Sequence, residues 1–187
     1  MEQGYVTKRA LSLGLKELMK KVALDKIRVS QITEITGVSR NTFYYHFSDI
    51  NDLLSWTFDH EVVFSLESCT QLDSWQAGLM KVLNYTEDNR AFCMNTFHSL
   101  SRDRLESFLY RITYDMLLTI MSLETYGENL DTNLRHEIAD FYGRAIVAQV
   151  IHWLLTNLRE PKGQLVNRVE RMTVGAIERV LTYRKDT

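Results

Sequence analysis

The sequence predicts an all-α chain: a small N-terminal three-helix unit of helix-turn-helix type, and a larger C-terminal helical bundle used for dimerisation. Three observations carry this. Apolar residues recur at helical spacing along most of the length, while the alternation that marks a half-buried strand is nearly absent. Pro161 is the only proline, and no low-complexity segment or internal repeat breaks the pattern. The 187 residues are 45% hydrophobic and 25% charged, which suits a globular chain with a substantial core.

Thr7 to Ala23 reads as the first helix, with Leu11, Leu15, Leu18, Met19 and Val22 at helical spacing. The stretch VSQITEITGVSRNTFYYHF, Val29 to Phe47, then has the layout of two short helices around a tight turn. Ile32 and Ile35, with Val38 beyond the turn, form one apolar side that packs the pair together. Gly37 stands where the chain must reverse, and glycine takes a positive φ there at little cost. Ser39 is placed to N-cap the second helix through its hydroxyl. Arg40, Asn41 and Thr42 occupy the first turn, the part of a recognition helix that meets base edges. Phe43 and Phe47, four apart, fit the buried face. Tyr44, Tyr45 and His46 fall on the others, where phenol and imidazole can donate to phosphate oxygens. An ordinary helical hairpin with an aromatic end satisfies the same spacing.

Beyond the motif, Asn51 to Cys69 reads as a long linking helix carrying Leu53, Leu54, Trp56, Phe58 and Val62. Further helices are expected at Ser74 to Glu87, Ala91 to Leu100 and Arg102 to Leu123. Glu124 to Thr132, with Gly127 and Asn129, reads as a loop. Two last helices follow, Asn133 to Arg159 and Gln164 to Tyr183, parted by Glu160-Pro161-Lys162-Gly163. No Gly- or Ser-rich linker divides the chain, so the domain boundary is drawn between residues 49 and 50, and the linking helix is expected to couple the two parts.

The net charge of −2 conceals an asymmetry. Residues 1–50 hold eight Lys and Arg against five acids, and the remainder holds 14 against 19. Positive potential therefore lies beside the motif. The longest apolar stretch, Ala145 to Leu155, is shorter than the roughly 20 residues a membrane span requires. The N-terminus lacks a basic-then-apolar leader. Cys69 and Cys93 lie far apart, outside CxxC spacing, which fits buried thiols in a reducing compartment; a regulatory disulfide is the alternative. A cytoplasmic protein that does not engage membranes is expected.

Two stripes point to a homodimer. Phe141, Ala145, Ala148, His152 and Leu155 form one, and Leu165, Val169, Met172, Ala176 and Val180 the other. Val147, Ile151 and Leu154 make the first of these helices apolar on further sides, so it must be buried twice over. Small residues at 145, 148 and 176 allow close helix approach. Both stripes also fit a monomer core. A two-fold dimer reads two half-sites, whereas one recognition helix reads too few base pairs for useful specificity.

The middle of the chain is dense in aromatics and methionine, the composition of a ligand cavity, with Phe97, His98, Tyr110, Tyr114 and Tyr142 as the candidate lining. Arg111 and Asp115 are further polar candidates. Each of these positions equally suits an ordinary core or a solvated face. Catalytic residues, metal ligands and cofactors are not expected. The sequence has no nucleophile motif, phosphate-binding glycine loop or HExxH, and His60-Glu61 and His136-Glu137 are adjacent pairs that diverge on a helix.

The run ITEITGVSRNTFYYHFSDINDLL, Ile32 to Leu54, resembles the signature of TetR-family transcriptional regulators. Ile32, Gly37, Val38, Ser39, Thr42, Phe43, Tyr44, His46, Phe47 and Leu53 all stand where that pattern wants them. The run from Phe141 to Glu160 resembles the penultimate helix of one branch of the family. The resemblance implies a homodimer on a palindromic double-stranded operator, most often a repressor, and a small-molecule effector that acts on the C-terminal half through the fourth helix. Three positions depart from the pattern. Thr33 replaces a small alanine against the recognition helix. Arg28 replaces a Ser or Thr cap, trading it for a phosphate contact. Ile50 replaces a lysine that touches the DNA backbone, which lowers the salt slope by about one unit. A co-regulator whose C-terminal half binds another protein instead of a metabolite is the alternative reading.

Overall fold

A computed structural model describes residues 2–63, 75–99, 101–123 and 131–183. Every regular element among them is helical. In order these are α1 (Glu2–Met19), a 3-10 turn (Leu24–Lys26), α2 (Val29–Thr36), α3 (Arg40–His46), α4 (Ile50–Phe58) running into a π-helical turn (Asp59–Val63), α5 (Trp75–Asp88), α6 (Arg90–Phe97), α7 (Arg102–Leu123), α8 (Thr132–Leu155) and α9 (Lys162–Tyr183). The expected continuation of α4 toward Cys69, the positions of Ser74 and Leu100, and most of the Glu124–Thr132 loop lie outside the described residues.

The chain divides into two compact units. The first comprises residues 1–64 and 88–108, the second 65–87 and 109–187. The structural units thus do not part at 49 and 50, because α4 and residues 88–108 pack with the N-terminal helices. α7 contributes 102–108 to the first unit and 109–123 to the second.

In the first unit, α1 buries Leu11, Leu15 and Met19 along one stripe and packs on α2, α3 and α4. It begins at Glu2 and stops at Met19, earlier at both ends than the apolar spacing indicates. The chain leaves the helix axis because Leu24 and Ile27 must reach the core from the 3-10 turn. Gly14 sets the α1–α2 distance: a Cβ there would sit 2.4 Å from the Thr36 methyl. Ile35, expected in the helix-helix seam, is half exposed. Ile32, expected there, is buried, and so is Thr33, whose hydroxyl is satisfied by donating to the Ser30 carbonyl at 3.0 Å. α4 buries Leu53, Leu54, Thr57 and Phe58. Thr57 bonds Ser12 of α1 at 3.0 Å, and the Phe58 ring lies tilted against Phe92 at 4.8 Å and stacked on Phe108 at 5.1 Å. Lys16 pairs with Glu61 of the π-helical turn at 2.6 Å.

In the second unit, Leu79, Leu83, Ile138, Ile146, Val150, Trp153 and Leu165 lead the core. α8 ends at Leu155 and not at Arg159. Asn157 and Leu158 both take φ 59°, and the Leu158 N–H returns to the Trp153 carbonyl at 2.9 Å. That closure satisfies an orphan carbonyl of the last turn at the cost of a left-handed leucine. The Trp153 indole donates to the Glu160 carbonyl at 2.8 Å, and Glu160 pairs with Arg168 of α9. The α8–α9 corner is thereby held from both sides.

Candidate nucleic-acid interface

The α2–α3 pair is built by local rules. The N-cap of α2 is Arg28, whose side chain has no acceptor to offer an orphan N–H. Gln31 supplies the cap, its Oε1 accepting from the Arg28 N–H at 2.8 Å, and the Arg28 side chain is left exposed. Gly37 closes α2 at φ 67°. Ser39 Oγ then accepts from the Thr42 N–H at 3.0 Å, the expected cap. It also lies 2.8 Å from Thr42 Oγ1, so the Thr42 hydroxyl is engaged within the helix terminus.

α3 is only seven residues long and is anchored by Phe43, fully buried, with Phe47 buried just past its end. Burying a phenylalanine is worth about 1.5–3 kcal/mol, and here it fixes which face turns outward. Ser39, Arg40, Asn41, Tyr44 and Tyr45 are exposed, Tyr45 to 84%. His46 is half-buried. Its ring packs beside Gly4 of α1, where a Cβ would stand 3.6 Å away, and edge-on to Tyr45 at 5.0 Å. The outward face is thus a cation, an amide, a hydroxyl and two phenols on a short, doubly anchored helix.

Lys8 is an addition that spacing did not single out. Its ammonium stands 5.7 Å from the Phe47 ring centre, a cation–π contact at the far end of α3. The signal was available only as one of eight N-terminal cations. At the start of α4, Asp49 accepts from the Asp52 N–H and Asp52 accepts from the Ser48 N–H, at 2.8 and 2.9 Å. Ile50 stands half-buried there.

The stripes expected at a dimer interface behave differently from one another. Phe141, Ala145, Ala148, His152 and Leu155 of α8 are all exposed, Phe141 to 68%. On α9, Met172 is 67% exposed, but Leu165 and Val169 are buried in the chain's own core. Those two are corrected to core residues: they lie on the side of α9 that faces its own unit. The side chains of Ala176 and Val180 lie outside the described residues.

Of the five candidate pocket residues, two lie in the first unit and three in the second. Phe97 is buried in the first unit under the Arg102 guanidinium, and His98 is exposed at the end of α6. Tyr110, Tyr114 and Tyr142 belong to the second unit and are half-buried. Tyr110 donates to Asp140, and the Tyr114 hydroxyl lies 2.6 Å from His136 Nδ1. Gly143 admits the Tyr110 ring, which sits 3.6 Å from where its Cβ would be. Arg144 bonds Asp140 at 2.8 Å and lies over the Tyr110 ring. The Arg144 hydrogen bond, followed by that from Tyr110, holds the Asp140 carboxyl below its ordinary range, and the bond to Asp140 raises the Tyr110 phenol. A separate apolar cavity of about 20 Å³ in the second unit is lined by Leu79, Val82, Ile112, Met116, Val147 and neighbouring residues. It has room for a water molecule.

A family model described as the C-terminal region of a transcriptional regulator, of TetR type, matches residues 73–175, more than half of the chain. The HTH-type dhaKLM operon transcriptional activator DhaS of Lactococcus lactis subsp. lactis (strain IL1403) is 29% identical over 97 residues, which are 52% of this chain and 52% of that protein. The match spans about half the length of that relative. A solved structure named as dihydroxyacetone kinase operon activator DhaS is similar with a TM-score of 0.71 at 20% identity, covering 93% of this chain and 97% of the other. At that identity the likeness concerns the fold alone. No described helix is long and apolar enough to cross a membrane.

Proposed function

The chain belongs to the TetR family of transcriptional regulators, and from that premise we propose that it binds double-stranded DNA through α3 and acts as a homodimer on a palindromic operator. The observation that carries the reading is the outward face of α3. Its two buried phenylalanines and its serine cap hold Arg40, Asn41, Tyr44 and Tyr45 toward solvent on a helix short enough to enter the major groove. Arg40, Asn41 and Thr42 are assigned to base edges. Tyr44, Tyr45, His46, Ser39 and the exposed Arg28 are assigned to phosphates, and Lys8 joins them as a backbone contact. The exposed α8 stripe, with Met172 of α9, is the surface that a second copy covers.

Selection of DNA from a random-sequence pool by the purified protein tests the reading, with recovery of a two-fold symmetric site as the expected result. Arg40→Ala should weaken that site by about tenfold or more and relax one base position, the size of a lost base contact. Tyr45→Ala should weaken all sequences alike. Equal affinity of both variants and the native protein at fixed salt would remove α3 as the reading helix. The DhaS relative is named an activator, so repression is not assumed here; a promoter fusion reads the sign.

For control of binding, a small-molecule effector in the C-terminal half is one proposal and a protein partner the other. A thermal-shift screen separates them, since a metabolite that binds the folded dimer must raise its melting temperature with concentration.

A further inference from the structure

We infer that Asn95 of α6 is a positioning residue for DNA reading, a role that rests on the DNA-binding proposal above. Its side chain reaches the connection between α1 and α2 from more than 70 residues away in sequence. The amide oxygen accepts from the Leu24 N–H at 2.8 Å. The amide nitrogen donates to the Met19 carbonyl at 2.8 Å and to the Val22 carbonyl at 2.7 Å. Both amide hydrogens and a lone pair are engaged, each with backbone.

The three groups it meets are those that local structure leaves open. Met19 is the last residue of α1, whose final carbonyls lack helical partners. Leu24 opens the 3-10 turn, and Ala23 before it offers no side-chain cap. Met19 and Leu24 are both buried, so water is a poor substitute for the missing partners. No glycine closes α1 in the usual way. Asn95 does that work from another helix, and it caps the end of one element and the start of the next with a single group. The fixed corner sets where the chain returns to Arg28 and begins α2. α2 carries α3 through the Ile32 and Thr33 seam, and base contacts tolerate only small displacements.

Only asparagine among residues of its size has this donor-acceptor set. Asn95→Asp retains the acceptor but turns a carboxylate toward two carbonyls. Asn95→Ala removes all three bonds without adding a clash.

Hydrogen exchange and DNA binding test the inference together. In the native protein the Leu24 amide should exchange as slowly as core helical amides, and in Asn95→Ala it should exchange at least about tenfold faster. On the DNA site recovered from the random pool, Asn95→Ala and Asn95→Asp should bind about tenfold or more weakly, with a smaller loss on DNA of unrelated sequence, because base contacts and not phosphate contacts are displaced. Val150→Ala, a core truncation in the second unit, serves as the control for stability alone and should bind DNA normally well below its melting temperature. Affinity loss in Asn95→Ala no greater than in Val150→Ala would overturn the inference. So would an equal loss on DNA of unrelated sequence, the mark of a direct phosphate contact. A Leu24 amide unprotected in the native protein overturns it with no variant needed. Failure of the native protein to select any DNA, with Leu24 protected, brings down the DNA-binding proposal and leaves Asn95 a structural cap.

Discussion

α3 and α8 both leave large side chains in solvent, but they expose different chemistry. α3 presents Arg40, Asn41, Tyr44 and Tyr45, groups that donate hydrogen bonds or carry charge. α8 presents Phe141, Ala145, Ala148 and Leu155, which can do neither, with His152 among them. Phenols and guanidinium groups are well solvated while they wait for a phosphate or base. An apolar stripe gains free energy only when another apolar surface covers it. The type of exposed side chain, more than the fact of exposure, therefore separates the proposed nucleic-acid face from the proposed self-association face.

The sharpest way to break the comparison is to charge the α8 stripe. Ala148→Glu should convert the protein to monomers in sedimentation velocity and weaken operator binding by about a hundredfold, since one recognition helix then reads one half-site. Its effect on the melting of the isolated subunit should be small, because residue 148 touches solvent in the monomer. A dimer that persists with native affinity would take α8 out of the interface. Leu165→Ala makes the opposite case. Leu165 is fully buried, so chemical denaturation should show a loss of about 2–5 kcal/mol, as for other buried leucines. If Leu165→Ala instead changed only the oligomeric state, its correction to a core residue would be wrong.

On the α3 side the expected effects are smaller. Ser39→Ala removes the cap on Thr42 and should cost about 1 kcal/mol, with a loss of DNA affinity that exceeds the loss of stability if the first turn carries the base contacts proposed for it. Smallest is an acid effect on the second unit. Asp140 is held below its ordinary range by Arg144 and then Tyr110, so the carboxylate stabilises the folded state above the ordinary carboxylate pKa. That contribution disappears as pH falls through the lowered folded value. The group is exposed, so salt should screen it. Melting temperature against pH in native protein and Asp140→Asn should differ above about pH 4 and converge in stronger acid.

Much of the α2–α3 pair was legible because its determinants are local. Gly37, Ser39, Phe43 and Phe47 act on neighbours within four residues, and each stands where spacing placed it. Ile35 is placed only in part by spacing: its side chain lies against Gly14 of α1, yet half of it stays in solvent, because helical spacing defines a face about 100° wide and not how far a neighbour covers its edge. The two stripes at the C-terminal end show the same limit at larger scale. Their periodicities are alike, yet Leu165 and Val169 are core while the α8 stripe is open, because the partner of each face lies on another element. Spacing likewise does not assign a residue to a unit, and Phe97 belongs to one while Tyr110 belongs to the other.

By itself, then, the sequence determined the helical class, the turn between α2 and α3, and the residues α3 turns outward, since these follow from caps, glycine and short-range spacing. It also carried enough of a pattern to mark the family. Only the tertiary structure decided that Leu165 and Val169 are core while the α8 stripe and Met172 stay exposed, that Gln31 and not Arg28 caps α2, and that Asn95 closes α1. Burial and capping across 70 residues depend on which surfaces meet, and periodicity along one helix contains no record of that meeting.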